Sequence, residues 1–208
     1  MRVKPYRLPA GALALGVLVL ALVRLAAFAV GEPVSTFTRD ADAVSEVPWY
    51  TGSVSLLTCM VWAAAAALSL FVAWVAPRTR RRTLFLGAFL LVLALDDAMQ
   101  VHDQIAPAHG IPEKLFAPFY GVLALLLLRE MLRASTRATV VAFLLGAGLL
   151  GVSALFDVVF HDASFLVEDG SKLLGAVVWT TVPCLIYAET VASSAPTTAA
   201  ATPAHQPS

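Results

Sequence analysis

Charge is what this chain has least of. Only 13% of its 208 residues are Asp, Glu, Lys or Arg, against about a quarter in an ordinary soluble domain. Hydrophobic residues make up 59%. That balance excludes a conventional soluble globule and leaves a chain whose solvent is lipid. Cysteine is nearly absent as well. Cys59 and Cys184 both fall inside apolar runs and read as small buried hydrophobes. They offer no disulfide framework and do not report on redox compartment. Formal net charge is zero, so no bulk field recruits a partner, and no nucleic-acid partner is expected.

What the chain does have is long apolar runs. A helix needs roughly 20 apolar residues to cross a hydrocarbon core about 30 Å thick. The runs predict an all-α polytopic transmembrane bundle of about six spans, near 9–30, 53–76, 83–103, 115–132, 138–160 and 171–190. The second is the cleanest, ending at Pro77 and the basic cluster Arg78, Arg80, Arg81, Arg82. The fourth is the shortest, with Pro118 near its start. Residues 1–192 form this bundle, and 193–208, rich in Ala, Pro, Thr and Ser, form a disordered cytoplasmic tail. Arg2, Lys4 and Arg7 before an apolar stretch, with Ala27-Phe28-Ala29 after it, also fit a cleavable signal peptide. Arg24 and the length of the run argue for a retained span.

Basic residues set the orientation, because cytoplasmic loops are enriched in Lys and Arg. With the N-terminus inside, ten basic residues lie at inside ends (Arg2, Lys4, Arg7, Arg78, Arg80, Arg81, Arg82, Arg129, Arg133 and Arg137), against Arg39, Lys114 and Lys172 outside. The expectation is N-in and C-in, in a bacterial inner (plasma) membrane. The acids sort the opposite way: all except Glu130 and Glu189 fall at or near the outer ends. His102, His109 and His161 join them there.

Three groups can carry chemistry. The first closes the third span: Asp96, Asp97, His102 and Asp103. Asp96 lies 14 residues beyond Arg82, about 21 Å along a helix, so the aspartates sit below the outer surface. Ionisable residues inside a span are costly and face the bundle interior or a watery cavity. Asp96, Gln100 and Asp103 share a face by their i, i+4, i+7 spacing. The plain alternative, acids solvating a helix end, accounts for His102 and Asp103 but poorly for Asp96-Asp97. The second group, Asp157, His161 and Asp162, closes the fifth span; Asp157 and His161 are i, i+4 neighbours that can share a metal, or simply a hydrogen bond. The third, Glu168, Asp169 and Lys172, opens the sixth span. There Lys172 can pair with either acid as a helix-surface salt bridge or hold an anionic group. His109 and Glu113 flank a Gly-Ile-Pro turn and read as loop residues.

Nine acidic or imidazole groups on three helix ends invite a cation. The expected metal ligands are Asp96, Asp97, His102, Asp103, Asp157 and His161. Oxygen and imidazole donors suit Zn, Mn, Fe, Mg or Ca, and a bound divalent ion can turn water into a nucleophile. Glu168 or Asp169 is the expected general base and Lys172 the headgroup anchor. No spacing here is as specific as H-E-x-x-H. The G-x-G-x-x-G at Gly146–Gly151 lies inside a span with no preceding strand, so it reads as a helix-packing face and not a dinucleotide loop. The gathering of His and Asp at one bundle end resembles, in kind, the metal-dependent membrane hydrolases of the alkaline ceramidase type. Their histidine pattern is not matched, so that likeness assigns no residue. The leading expectation is a metal-dependent membrane hydrolase acting on a lipid or lipid-linked substrate at the outer leaflet. The rivals are an ion- or proton-coupled transporter and a non-catalytic assembly or interaction protein.

Overall fold

A computed structural model describes residues 18, 21–22, 24–33, 52–159 and 165–194, with side chains given to Phe156 and again from Val167. Every regular element among them is helical. The chain divides into two compact units, Met1–Thr51 and Gly52–Ser208. In the first unit, residues 24–30 are helical and end at Gly31. There Gly31 N–H donates to Phe28 C=O and Glu32 N–H to Ala27 C=O. The left-handed φ of 74° at Gly31 is what this helix-ending motif requires.

The second unit holds five long helices. They are α1 (Ser53–Val75), α2 (Arg80–Met99), α3 (Phe116–Ala134), α4 (Arg137–Val159) and α5 (Phe165–Ser194). Among the described residues, four helical stretches are long and apolar enough to cross a membrane: Ser53–Val75, Glu113–Ala134, Arg137–Phe156 and Val167–Ser194. A fifth qualifies only if Pro77–Met99 and Val101–Ala108, bent by 58°, count as one span. The expected first span falls mostly outside the described residues. The large apolar side chains left on the surface, Leu56, Met60, Trp74, Leu125 and Leu145 among them, are consistent with helices that face lipid.

Where the sequence predicts one straight third span, the helix breaks. Gln100 takes a left-handed φ of 51°, the only non-glycine residue to do so among those described. The chain then continues as a π-helical turn, Val101–Ile105, and one α turn, Ala106–Ala108. Asp96, Gln100 and Asp103 therefore do not share the continuous face that their spacing implied. The sixth span also differs. Its helix begins at Phe165, so Glu168, Asp169 and Lys172 lie within its first two turns. Ser193 and Ser194, expected in the tail, end this helix.

Packing centres on Trp179 of α5, which is 1% exposed. Its ring stacks on Phe143 of α4 at 5.0 Å and meets Trp62 of α1 and Phe89 of α2 at 5.8 Å each. Its Nε1–H donates to Phe143 C=O at 2.8 Å. Gly146 makes room for this ring: a Cβ there would lie 2.1 Å from Trp179 Cδ1. Gly175 answers from α5, where a Cβ would meet Gly146 O at 3.1 Å. So part of the glycine pattern does serve close helix packing, but Gly148 and Gly151 face open space. α1 runs along α2 and α5, and α4 along α5, whereas α3 touches α2 and α4 only sparsely.

At the arginine end, Arg82 ties three elements together. Its Nη1 donates to Ala134 C=O and, at 2.7 Å, to Ser135 Oγ; its Nη2 pairs with Glu189 at 3.3 Å. Glu189 in turn accepts from Thr136 N–H at 2.9 Å and from the Thr136 and Thr139 hydroxyls. It thereby satisfies donors at the start of α4 that a helix leaves open. Arg82 read as one of four flanking charges; in the fold it is the buried one.

Candidate functional site

The break at Gln100 builds the site. Asp96, on the last full turn of α2, reaches over it. Asp96 Oδ1 accepts the His102 backbone N–H at 2.9 Å, which caps the helical piece that follows. Asp96 Oδ2 lies 2.7 Å from His102 Nδ1, a close charge contact off the N–H axis. His102 Nε2 lies 3.0 Å from Asp103 Oδ1. An imidazole between two carboxylates can donate to both only as imidazolium. The two flanks differ in exposure, at 7% for the Asp96 side chain and 44% for Asp103. The Tyr120 hydroxyl of α3 lies close to Asp96, and the His102 ring lies 6.0 Å from Phe116.

One residue on, Asp97 faces α1 and α5. Its Oδ1 pairs with Lys172 Nζ at 3.2 Å, and its Oδ2 accepts from the Cys59 thiol at 3.4 Å. Lys172 thus bridges α5 to α2, with the Glu168 and Asp169 charges close by. The expected partners of Lys172 were those two acids, or an anionic ligand. Asp97, 75 positions away in sequence, carries its ion pair instead.

Both pairs open onto a cavity of about 330 Å³. Asp96, Asp97, His102, Asp103, Glu168 and Lys172 line its mouth, together with Glu113 and Lys114 from the loop before α3. Below them the walls turn apolar, with Trp62, Phe89, Leu93, Leu150 and Trp179. The α3 wall is small, with Ala117, Gly121 and Ala124 spaced so that they share one helix face. That face, on a helix that stands off from its neighbours, leaves the space. Reasoning from sequence missed Tyr120, Phe116 and the two tryptophans. The small face on α3 was the legible signal.

Of the expected ligands, Asp96, Asp97, His102 and Asp103 come together at this mouth, and Glu168 joins them from α5. Asp169 is half-buried beside the group. His109 points away, with Nδ1 2.8 Å from Ile105 O in an exposed turn. Asp157 belongs to the helical backbone of α4, but its side chain, His161 and Asp162 lie outside the described residues. Among the described residues, no three His, Cys, Asp or Glu side chains are arranged to hold a metal ion. Asp96 and Asp103 flank His102, and Asp97 pairs with Lys172.

Residues 12–184 match the family model described as "Domain of unknown function (DUF8692)", and the chain belongs to that family. It matches no curated protein and no solved structure.

Proposed function

We propose that this chain is a membrane hydrolase that takes the apolar part of a lipid or lipid-linked substrate into the α1–α5 cavity and does its chemistry at the polar mouth. One observation carries the reading: a buried carboxylate, Asp96, lies 2.7 Å from His102 Nδ1 at the point where the apolar cavity meets the polar groups. The carboxylate beside Nδ1 favours the imidazolium and leaves Nε2 as the working atom. In the proposed step, Asp103 takes the Nε2 proton of the imidazolium and swings aside, so that a water reaches the freed nitrogen. His102 then takes the water proton while the oxygen attacks the scissile carbonyl or phosphoryl centre. Asp96 stabilises the imidazolium that results, and the proton passes to the leaving group. A carboxylate on Nδ1 is also the usual support of a metal-bound histidine. In a metal-assisted form, His102 and Asp103, with Asp157 or His161, would hold a Zn, Mn, Fe, Mg or Ca ion that would supply an activated water, with Glu168 or Asp169 as base. The site faces the extracytoplasmic side in this reading, as the ten-to-three basic asymmetry supports. An impermeant thiol reagent on intact cells should label Ser45→Cys and not Ser194→Cys; the reverse would invert the topology.

Purified protein incubated with membrane lipid extract should release a product that His102→Gln and Asp96→Asn do not make. Chelation followed by return of Zn or Mn separates the metal-assisted form from the metal-free one. The second reading is a proton- or ion-coupled carrier, favoured by the broken helix at Gln100 beside buried ionisable pairs. No product from any lipid class, together with uptake into proteoliposomes that depends on Asp96 or Asp97, would replace the hydrolase by the carrier.

A further inference from the structure

The charge lining the cavity mouth is uneven. Five carboxylates line it, Asp96, Asp97, Asp103, Glu113 and Glu168. Three side chains can oppose them with positive charge: His102, Lys114 and Lys172. Even with His102 counted as a cation, the lining among the described residues carries a net charge of −2. Lys172, the residue best placed by sequence to grip an anionic headgroup, is already engaged with Asp97 at 3.2 Å. An anion entering here would have to displace that carboxylate and sit among the remaining four.

Aromatic rings form the next layer down. Phe116 and Tyr120 of α3 line the cavity just below the acids, their centroids 6.1 Å apart. Trp62 and Trp179 line it deeper. A ring of carboxylates over aromatic faces is the arrangement that recognises an alkylated ammonium: the acids supply long-range attraction and the rings a cation–π contact without strong hydration. The apolar walls beyond accept an alkyl chain. A cavity of this size is at the lower end of the range for small-ligand sites, roughly 300–1,000 Å³, so it suits one chain better than a diacyl pair.

We infer that the amphiphile taken by this cavity is cationic at its head, a long-chain amine or quaternary ammonium compound, or a lipid that presents such a group to the mouth. This rests on the reading of the cavity as an amphiphile site. It departs from the sequence-based expectation that Lys172 selects an anionic headgroup.

Trp62 and Trp179 provide the probe, since a brominated chain that enters quenches their fluorescence. The full chain in lipid nanodiscs is titrated with three 12-bromododecyl compounds below their micelle concentrations: trimethylammonium, sulfate and maltoside. Gly121→Leu and, separately, Gly151→Leu fill the cavity from positions where a Cβ meets nothing within 4 Å. Quenching that survives both fillings comes from chains in the surrounding bilayer and is subtracted. The cavity-dependent part should appear with the ammonium compound at a concentration about tenfold lower than with the sulfate, the separation expected of a well-formed electrostatic preference. Glu113→Gln should narrow that gap. Cavity-dependent quenching that is equal for the three heads, or stronger with sulfate, overturns the charge inference and leaves the amphiphile site standing. No cavity-dependent quenching with any of the three overturns both.

Discussion

Asp96→Ala is the sharpest perturbation, because one side chain supports both the helix break and the histidine. The structure sets the size. Asp96 is 6% exposed and accepts the His102 backbone N–H at 2.9 Å. Losing a hydrogen bond to a charged acceptor costs about 1.5–3 kcal/mol. The side chain also faces His102 Nδ1 at 2.7 Å, and removing one partner of a buried pair costs up to about 3–5 kcal/mol. His102 keeps Asp103 on its other nitrogen, which holds the total below the sum. The expected loss for Asp96→Ala is thus about 2–4 kcal/mol. Asp96→Asn keeps an acceptor for the His102 N–H and loses the charge, so it should fall about halfway. Asp103→Ala removes the exposed flank of the same imidazole and should cost about 1 kcal/mol or less. Equilibrium unfolding in mixed dodecyl maltoside and dodecyl sulfate micelles, followed by tryptophan fluorescence, measures all three. If Asp103→Ala costs as much as Asp96→Ala, or if Asp96→Ala stays within about 0.5 kcal/mol of the parent, the break is not held by this carboxylate.

The same assay tests the two other packing claims. Arg82→Met should cost about 2–4 kcal/mol, since it strips Ala134 C=O, Ser135 and Glu189 of a shared donor, while Arg80→Met on the exposed side of the same turn should stay within about 0.5 kcal/mol. Equal effects would deny Arg82 its tie between α2, the α3–α4 turn and α5. Gly146→Ala should cost about 1–3 kcal/mol through overpacking against Trp179, whereas Gly148→Ala, with open space at its Cβ, should be neutral or gain up to about 1 kcal/mol in helix propensity. A neutral Gly146→Ala would mean that the Trp179 ring is free to move.

Much of the helix layout was legible because lipid demands it. The runs near 53–76, 115–132 and 138–160 become α1, α3 and α4 within a few residues, since backbone groups in hydrocarbon must be satisfied inside the segment. The break at Gln100 was not legible. Left-handed turns are usually flagged by Gly or Asn, and neither occurs between Asp96 and Asp103. The conformation is fixed by Asp96 capping the next piece, a contact across six residues. The Asp97 partner of Lys172 was hidden for a related reason: on its own helix the neighbours are Glu168 and Asp169, and only helix packing brings Asp97 within 3.2 Å. Arg82 was hidden among three other arginines of identical chemistry. Its depth, not its type, sets it apart.

The position of the cavity follows from an uneven distribution of packing. Trp179 joins α1, α2, α4 and α5 in one aromatic cluster with Trp62, Phe89 and Phe143, and Gly146 and Gly175 let α4 and α5 approach closely beneath it. α3 takes little part: only 11% of its spanning window is buried, against 39% for α1 and 33% for α5. Its inward face carries Ala117, Gly121 and Ala124, too small to fill the gap, while Phe116 and Tyr120 stand at the top of it. Tyr120 is the point where this loosely packed helix meets the charged group, through its hydroxyl beside Asp96 and its ring contact with Phe89 at 6.3 Å. The tight side of the bundle thus supplies fixed positions for Asp96, Asp97 and Lys172, and the loose side supplies the volume. Both features come from side-chain size along the inward faces: large aromatic residues where helices lock, and small residues where a chain can enter.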